Sequence, residues 1–348
     1  MVRKGKIVNT IDLKKALSEM LRESRKEAKP SQCILCGEKI AGLCNSHSVP
    51  QFILRNITID GHVLNAAYAL DVPVVNETDG INRSGTFAYI CRDCDSKYFS
   101  EYENESALLC NPTNKMMAEI ALKDGLHLLS KRNNEVYLYK HLQEKYHAYE
   151  NKEILDNIQA LDLHDFSFEV KRAKKIIDKD LKSGFVCIYT ILLQYVVPIA
   201  AQSGIVLYKD LDGNIVNNVY DTSSKSRMQM LHCAIFPLKE CTRIILFRHK
   251  DDRNYLYFEK QFSKLEEEKK LEYINYLVFK YIENYYLSPT TEGIINDHKL
   301  LKELSREINE VPNFGFIGSI ASDVSQKSIA PGEIPCFLDK KYQLPPVT

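Results

Sequence analysis

An α+β fold is what the sequence predicts, and three observations predict it. Four cysteines fall in two Cys-x-x-Cys pairs, Cys33 with Cys36 and Cys91 with Cys94. Helical periodicity dominates residues 112–182, and from Gly184 onward β-branched and aromatic runs alternate with turn signals. The order is a small cysteine-stapled module, a helical bridge, and a larger α+β domain with antiparallel strands and a long helix. The boundaries fall at an arm over 1–30, the module over 31–130, the bridge over 131–182 and the larger domain over 183–348.

The arm carries Leu13, Ala16, Leu17, Met20 and Leu21 at helical spacing, with nine basic against four acidic side chains. That is a solvated amphipathic helix, or a phosphate-contacting arm beside a site. After Pro112, the apolar positions Met117, Ile120, Ala121, Leu128 and Leu129 predict a helix over residues 116–129. No charged residue lies between Lys182 and Lys209, but Gln194, Pro198, Gln202, Ser203 and Gly204 interrupt the run. Strand, turn and strand within a core fit it better than a membrane span. A hairpin is predicted from Gly204 to Val216 around Asp212-Gly213, then strands over 231–236, 243–248 and 255–258. A long helix over 262–286 follows, and the segment after Pro312 reads as irregular.

Composition narrows the function. Hydrophobic residues at 45 % and charged residues at 26 % exclude wholesale disorder. Lys+Arg and Asp+Glu both number 46, which excludes a polyanion binder with a basic body, so nucleic-acid contact must come from local patches. The first ten residues hold no apolar signal core. A cytoplasmic protein without a membrane segment, its ten cysteines reduced, is the expectation.

Thiolates favour zinc, and a two-residue spacer lets one knuckle present two sulfurs to the same ion. Two such pairs complete a closed tetrahedral site, so Cys33, Cys36, Cys91 and Cys94 are the expected ligands of a structural zinc. Residues 37–90 between the pairs exceed the span of a compact zinc ribbon and must form structure of their own. Cys44 and Cys110 are available as substitute ligands.

His47, eleven residues after Cys36, sits in Asn45-Ser46-His47-Ser48-Val49-Pro50, and after the second pair comes Asp95, followed by Lys97-Tyr-Phe-Ser-Glu-Tyr-Glu103. In these positions the chain resembles the four-cysteine, treble-clef branch of the HNH nuclease family. There, Cys-x-x-Cys is followed by an acidic residue and a His with a Pro after it, then by Cys-x-x-Cys-Asn at a helix start. The resemblance covers residues 31–110 and extends to bacterial members found among phage-defence systems. It implies a treble-clef, ββα-metal module in which His47 deprotonates water for attack on a phosphodiester. It also implies that Asp95 holds a single catalytic divalent ion, Mg or Mn. Either Glu101 or Glu103, one or two helical turns on, adds a further carboxylate if the helix turns that face toward the metal.

Two departures stand out. Ser46 occupies the place of the acidic residue before the histidine, and Asn82 is only a loosely spaced counterpart of the family's middle asparagine. Residues 31–115 hold six basic and ten acidic side chains, a poor balance for attracting DNA, which Lys171-Arg-Ala-Lys-Lys or the arm would have to correct. The expectation is a metal-dependent endonuclease acting on nucleic acid, DNA before RNA, as a bacterial antiviral effector whose C-terminal domain meets a trigger or protein partner. The alternative is a zinc-stabilised module that binds nucleic acid or protein and has lost cleavage; Ser46 supports it.

Overall fold

The computed structural model describes residues 10–39, 42–70, 78–147, 152–221, 223, 226–307 and 329–345. The first nine residues of the arm and the glycines Gly315 and Gly318 lie outside them. The architecture is α+β, built on an antiparallel sheet with a four-cysteine cluster beside it.

In chain order, α1 (Thr10–Ala28) is followed by β1 (Ser46–His47), α2 (Gln51–Arg55), β2 (His62–Asn65), α3 (Ala66–Leu70) and β3 (Thr78–Gly80). Then come β4 (Thr86–Phe87), α4 (Arg92–Tyr98), α5 (Glu105–Leu108), and two long helices, α6 (Asn114–Tyr146) and α7 (Lys152–Asp178). The later part contributes β5 (Phe185–Leu193), β6 (Ile199–Ile205), β7 (Leu231–Pro237), β8 (Thr242–His249), α8 (Leu256–Ser263), α9 (Glu267–Tyr281), β9 (Tyr285–Leu287), α10 (Glu292–Asp297) and α11 (Lys299–Glu307).

Seven strands form one sheet in the order β3-β2-β9-β6-β7-β8-β5, each neighbouring pair antiparallel. Its central strands are covered on both faces. Ala200, Ala234, Phe236, Ile245 and Phe247 join the core shared with α6, α7 and the cysteine module. Their sequence neighbours Ala201, Cys233, Ile235, Ile244 and Leu246 join the core beneath α8, α9 and α11. Strands buried on both sides read as continuous apolar runs, which accounts for the β6 part of the charge-free stretch after Lys182; β5, at the sheet edge, is only half-buried. That stretch is β5, a turn and β6, and among the described residues no helix is long and apolar enough to cross a membrane.

Residues 131–182, read as a helical bridge, are helical over the rest of α6 and all of α7. Helices α6 and α7 pack as an antiparallel pair that includes both halves of α6, with Arg132 on Asp162 at 2.8 Å and Gly125 facing Val170. The first half of α6 runs over the sheet, its start capped by Thr113 accepting from the Met116 N–H. Strands β2 and β3, from within 31–130, pair into the same sheet as the strands of 183–348.

Three expectations change. The run 255–258 is a 3-10 turn leading into α8, because Tyr255, Phe258 and Phe262, all buried, recur at helical spacing, and so short an apolar run does not by itself fix the period. The long helix over 262–286 is split into the end of α8, then α9, then β9. At Ile282 the backbone turns extended, and the following residues pair with β6 and β2, so sheet formation outcompetes helical continuation. The hairpin over 204–216 reduces to one bridge, Lys209 to Ile215, since β6 pairs with β7 instead. The turn itself is present: Asp210 accepts from the N–H groups of Asp212 and Asn214, and Gly213 has φ 86°.

Candidate functional site

The cysteine cluster is assembled from two backbone turns. Cys33 to Gly37 form a knuckle closed by the Gly37 N–H on the Cys33 carbonyl at 2.8 Å, with Gly37 in the left-handed region at φ 76°. The Ile34 N–H donates to the Tyr89 carbonyl at 3.0 Å and so fastens this knuckle to the segment entering α4. Cys91 is the N-cap of α4, its sulfur accepting from the Cys94 N–H.

The sulfurs of Cys33, Cys36, Cys91 and Cys94 lie within 4.8 Å of one another. Cys36 and Cys91 are 3.9 Å apart, against about 3.8 Å for a tetrahedron with ~2.3 Å zinc–sulfur bonds. The set can hold one metal ion and is consistent with structural zinc. Burial works to raise the Cys33 thiol, yet hydrogen bonds from the backbone of Cys36, Cys91 and Leu35 hold it down at about 7. Burial and the crowded sulfurs of Cys91 and Cys33 push Cys94 far up, a conflict that a bound cation relieves. Cys44 bonds the Ile90 carbonyl and Cys110 the Ser106 carbonyl, so neither substitutes.

His47 lies on β1, which pairs with β4 in register His47 to Thr86, and α4 follows four residues after β4 ends. The hairpin is anchored to the main sheet. Ser48 donates to the Asn284 side chain at 2.7 Å, and its N–H meets the Gly85 carbonyl at 3.0 Å. Gly85 has φ 63°, and a Cβ there would overlap the hydroxyls of Tyr286 and Ser48. Only glycine satisfies both conditions.

His47 Nε2 stands 3.1 Å from the Ile81 carbonyl. A carbonyl only accepts, so Nε2 carries the proton and Nδ1 keeps its lone pair. Burial lowers the His47 pKa, opposed by the Ile81 carbonyl and reinforced by the Lys123 charge. The ring is neutral near pH 7. Asn82 does not touch it; its side chain accepts from Gln51 at 2.7 Å.

A cavity of about 260 Å³ opens between α2 and α4, lined by His47, Gln51, Phe52, Arg55, Asp95 and Glu103 among others. Asp95 is held by two donors: Ser46 Oγ at 2.6 Å and Lys123 Nζ at 3.0 Å. Lys123 also meets Glu103 at 3.1 Å and donates to Ser46 Oγ at 2.8 Å. Its ammonium lies 3.6 Å from the centre of the Phe99 ring. The Lys123 side chain is fully buried, whereas the Asp95 and Glu103 side chains are 26 % and 35 % exposed. Glu103 is raised by burial first, then drawn down by Lys123 and pushed up again by Asp95. The turn carrying Glu103 is fixed from α6 as well, since Glu119 Oε2 accepts the N–H groups of Glu101 and Tyr102, each at 2.9 Å.

His47, Asp95 and Glu103 therefore share one cavity, while Ser46 is buried behind it and acts on Asp95. Lys123 and Glu119 are the residues that sequence reasoning missed. Their signal was there: inside the apolar stretch of α6 two opposite charges sit four apart, at positions a solvated face would not occupy. Comparison with protein-family models, curated proteins and solved structures finds no match for this chain.

Proposed function

We propose that this chain is a metal-dependent endonuclease of HNH type, hydrolysing phosphodiester bonds of nucleic acid, DNA before RNA. One observation carries the reading: a neutral imidazole with a free Nδ1 opens on the same cavity as two carboxylates, beside a four-thiol centre. The two-stranded hairpin followed by α4 supports treating residues 31–110 as a treble-clef, ββα-metal module.

In this reading His47 Nδ1 takes the proton of the attacking water. Arg55, which lines the cavity, meets a non-bridging phosphate oxygen. Asp95 and Glu103 would hold Mg or Mn, since hard carboxylate oxygens in an open cavity suit such an ion. The chemistry supplied there is neutralisation of the charge that develops on phosphorus-bound and leaving oxygens. Ser46 positions Asp95, and Lys123 offsets the repulsion between the two carboxylates. A cytoplasmic antiviral role, with residues 183–348 meeting a trigger or protein partner, belongs to the same proposal.

The test is cleavage of plasmid DNA and of RNA with Mg²⁺ or Mn²⁺, beside His47→Ala and Asp95→Ala. Loss of cutting in both variants at unchanged zinc content is the expected result. A second reading, a binding module that has lost cleavage, draws on Ser46 and on the Lys123 ammonium between the carboxylates. Wild-type protein that binds DNA but leaves it intact under every metal decides for that reading.

A further inference from the structure

A second cavity, of about 520 Å³, lies where α7, the turn after it and the end of β8 meet. Its size falls in the range of small-molecule sites, roughly 300–1,000 Å³. Phe168, Ile176 and Leu181 give it an apolar floor; Lys171, Lys175 and Lys250 line it with ammonium groups. All three lysines are exposed, and among the described residues none has a carboxylate partner.

The two arginines of the cavity behave differently. Arg172 donates to Glu169 at 2.6 Å and, in a two-pronged contact, to Asp252; Arg227 reaches the same two carboxylates. Two guanidiniums against two carboxylates cancel, so this cluster is scaffolding. It also fixes the aromatic floor, because Arg172 and Arg227 lie 5.6 and 4.8 Å from the Phe168 ring centre. Phe168 nevertheless remains 41 % exposed, a large apolar face turned outward beside three unpaired cations. The acidic member of the lining, Asp251, removes one of the three positive charges.

At the base stands His249, 7 % exposed. Its Nδ1 accepts from the Asp251 N–H at 3.2 Å, which leaves the proton on Nε2, a donor with no partner among the described residues. Burial, then the Arg172 charge, keeps the ring neutral with a pKa at about 4. The wall opposite is pinned: Asn114 at the start of α6 holds the Leu181 carbonyl at 2.6 Å and the Gly184 and Phe185 N–H groups at 2.8 and 2.9 Å. Gly184 has no room for a side chain against Ile176.

We infer that this cavity binds a nucleoside phosphate, its ring over the Phe168, Ile176 and Leu181 floor and its phosphates among Lys171, Lys175 and Lys250. A bare phosphate would leave most of the volume and the apolar floor unused, and an uncharged aromatic would leave the positive rim of Lys171, Lys175 and Lys250 and the His249 N–H unused. The basic run Lys171-Arg-Ala-Lys-Lys is thus assigned to a concave small-ligand site instead of an extended nucleic-acid surface.

The test is calorimetric titration of the full chain with ATP, inorganic pyrophosphate and a short single-stranded DNA, in wild type and in the triple variant K171M/K175M/K250M. Exposed lysines without partners change without disturbing the core, and unchanged thermal unfolding of the variant verifies this. Saturable one-site binding of ATP, weakened at least tenfold in the variant and stronger than that of pyrophosphate, is the expected result. ATP that fails to bind wild type, or binds the variant equally well, overturns the inference. So does lysine-dependent binding of the DNA alone. His47→Ala protein gives the same titration whatever becomes of the cleavage proposal, so the two fail separately.

Discussion

The sheet and the cysteine module share one apolar core but differ in how much regular structure each adds to it. In the sheet, β6, β7 and β8 run seven or eight residues each and are buried from end to end, every second side chain entering a different apolar core. At about 1.5–3 kcal/mol for each large side chain removed from water, such strands need no further staple. In the module, β1 and β4 have two residues each and α4 has seven. A hairpin that short does not persist alone, and its order comes from the apolar core around Val49, Ile53, Phe87 and Phe99, from the sulfur cluster, and from polar contacts to α6 and Asn284. The side chains proposed for catalysis all sit on the second kind of structure. The lesson is that positioning here adds a four-sulfur cluster and one buried ammonium to the hydrophobic burial that suffices for the sheet.

The sharpest way to break that comparison is to remove the staple. Structural zinc contributes on the order of 10–16 kcal/mol to small sites, so C91S/C94S, or exhaustive chelation, should strip the hydrogen-exchange protection of β1, β4 and α4 almost completely. The protection of β6, β7 and β8 should survive. Equal loss in both regions would mean that the module and the sheet form one cooperative unit, and no loss in either would remove the metal from the account.

Next in size is a pair of glycines. Gly85 and Gly213 both have positive φ, but a Cβ at Gly213 meets nothing within 4 Å while one at Gly85 overlaps two hydroxyls. Gly213→Ala should cost only the backbone strain, about 1 kcal/mol. Gly85→Ala adds overpacking of about 1–3 kcal/mol and should lower the melting temperature by several degrees more. Similar melting temperatures for the two would mean that the hairpin yields without cost and that its seat against Tyr286 does not fix His47.

These cases mark what the sequence could and could not disclose. The paired cysteines were legible because ligand spacing is a local property, and β7 and β8 because runs of apolar residues between turn signals are too. The partner of β9 was not: Leu287 pairs with Leu64, and nothing local records a contact across that separation. The short run at 255–258 was misread because Tyr and Phe suit a strand and a buried helix face equally. Lys123 escaped for a different reason. A lysine in a helix is ordinarily solvated; its place inside the apolar stretch of α6 argues for burial, but that it meets Ser46, Asp95 and Glu103 is visible only in the fold.

A buried ammonium between two carboxylates has a measurable consequence. Lys123→Met keeps the stem of the side chain and removes the charge, leaving Asp95 and Glu103 to repel each other in partial contact with water. Mn²⁺ binding, followed by electron paramagnetic resonance, should tighten by roughly tenfold, or about 1.4 kcal/mol, as the pair gains a full unit of negative charge. Weaker Mn²⁺ binding would show that Lys123 shapes the carboxylates instead of competing for them, and would shift the balance of the module from charge to geometry.

The smallest effect reads the same network from the imidazole side. Burial and the charges of Lys123 and Arg55 disfavour imidazolium at His47, against the Ile81 carbonyl and Asp95, so its pKa lies below the usual value of about 6.5. A lowered histidine pKa means the base stays unprotonated as pH falls through 6.5, and the acid limb of cleavage should have its midpoint below that value. Removing Lys123 takes away a cation that repels the protonated ring, so Lys123→Met should move the His47 titration upward by a fraction of a pH unit. Nuclear magnetic resonance titration of the His47 ring measures this directly, with or without turnover. A downward movement in the variant would mean that the dominant influence of Lys123 on the ring runs through Asp95, by holding that carboxylate in place, and not through its own charge.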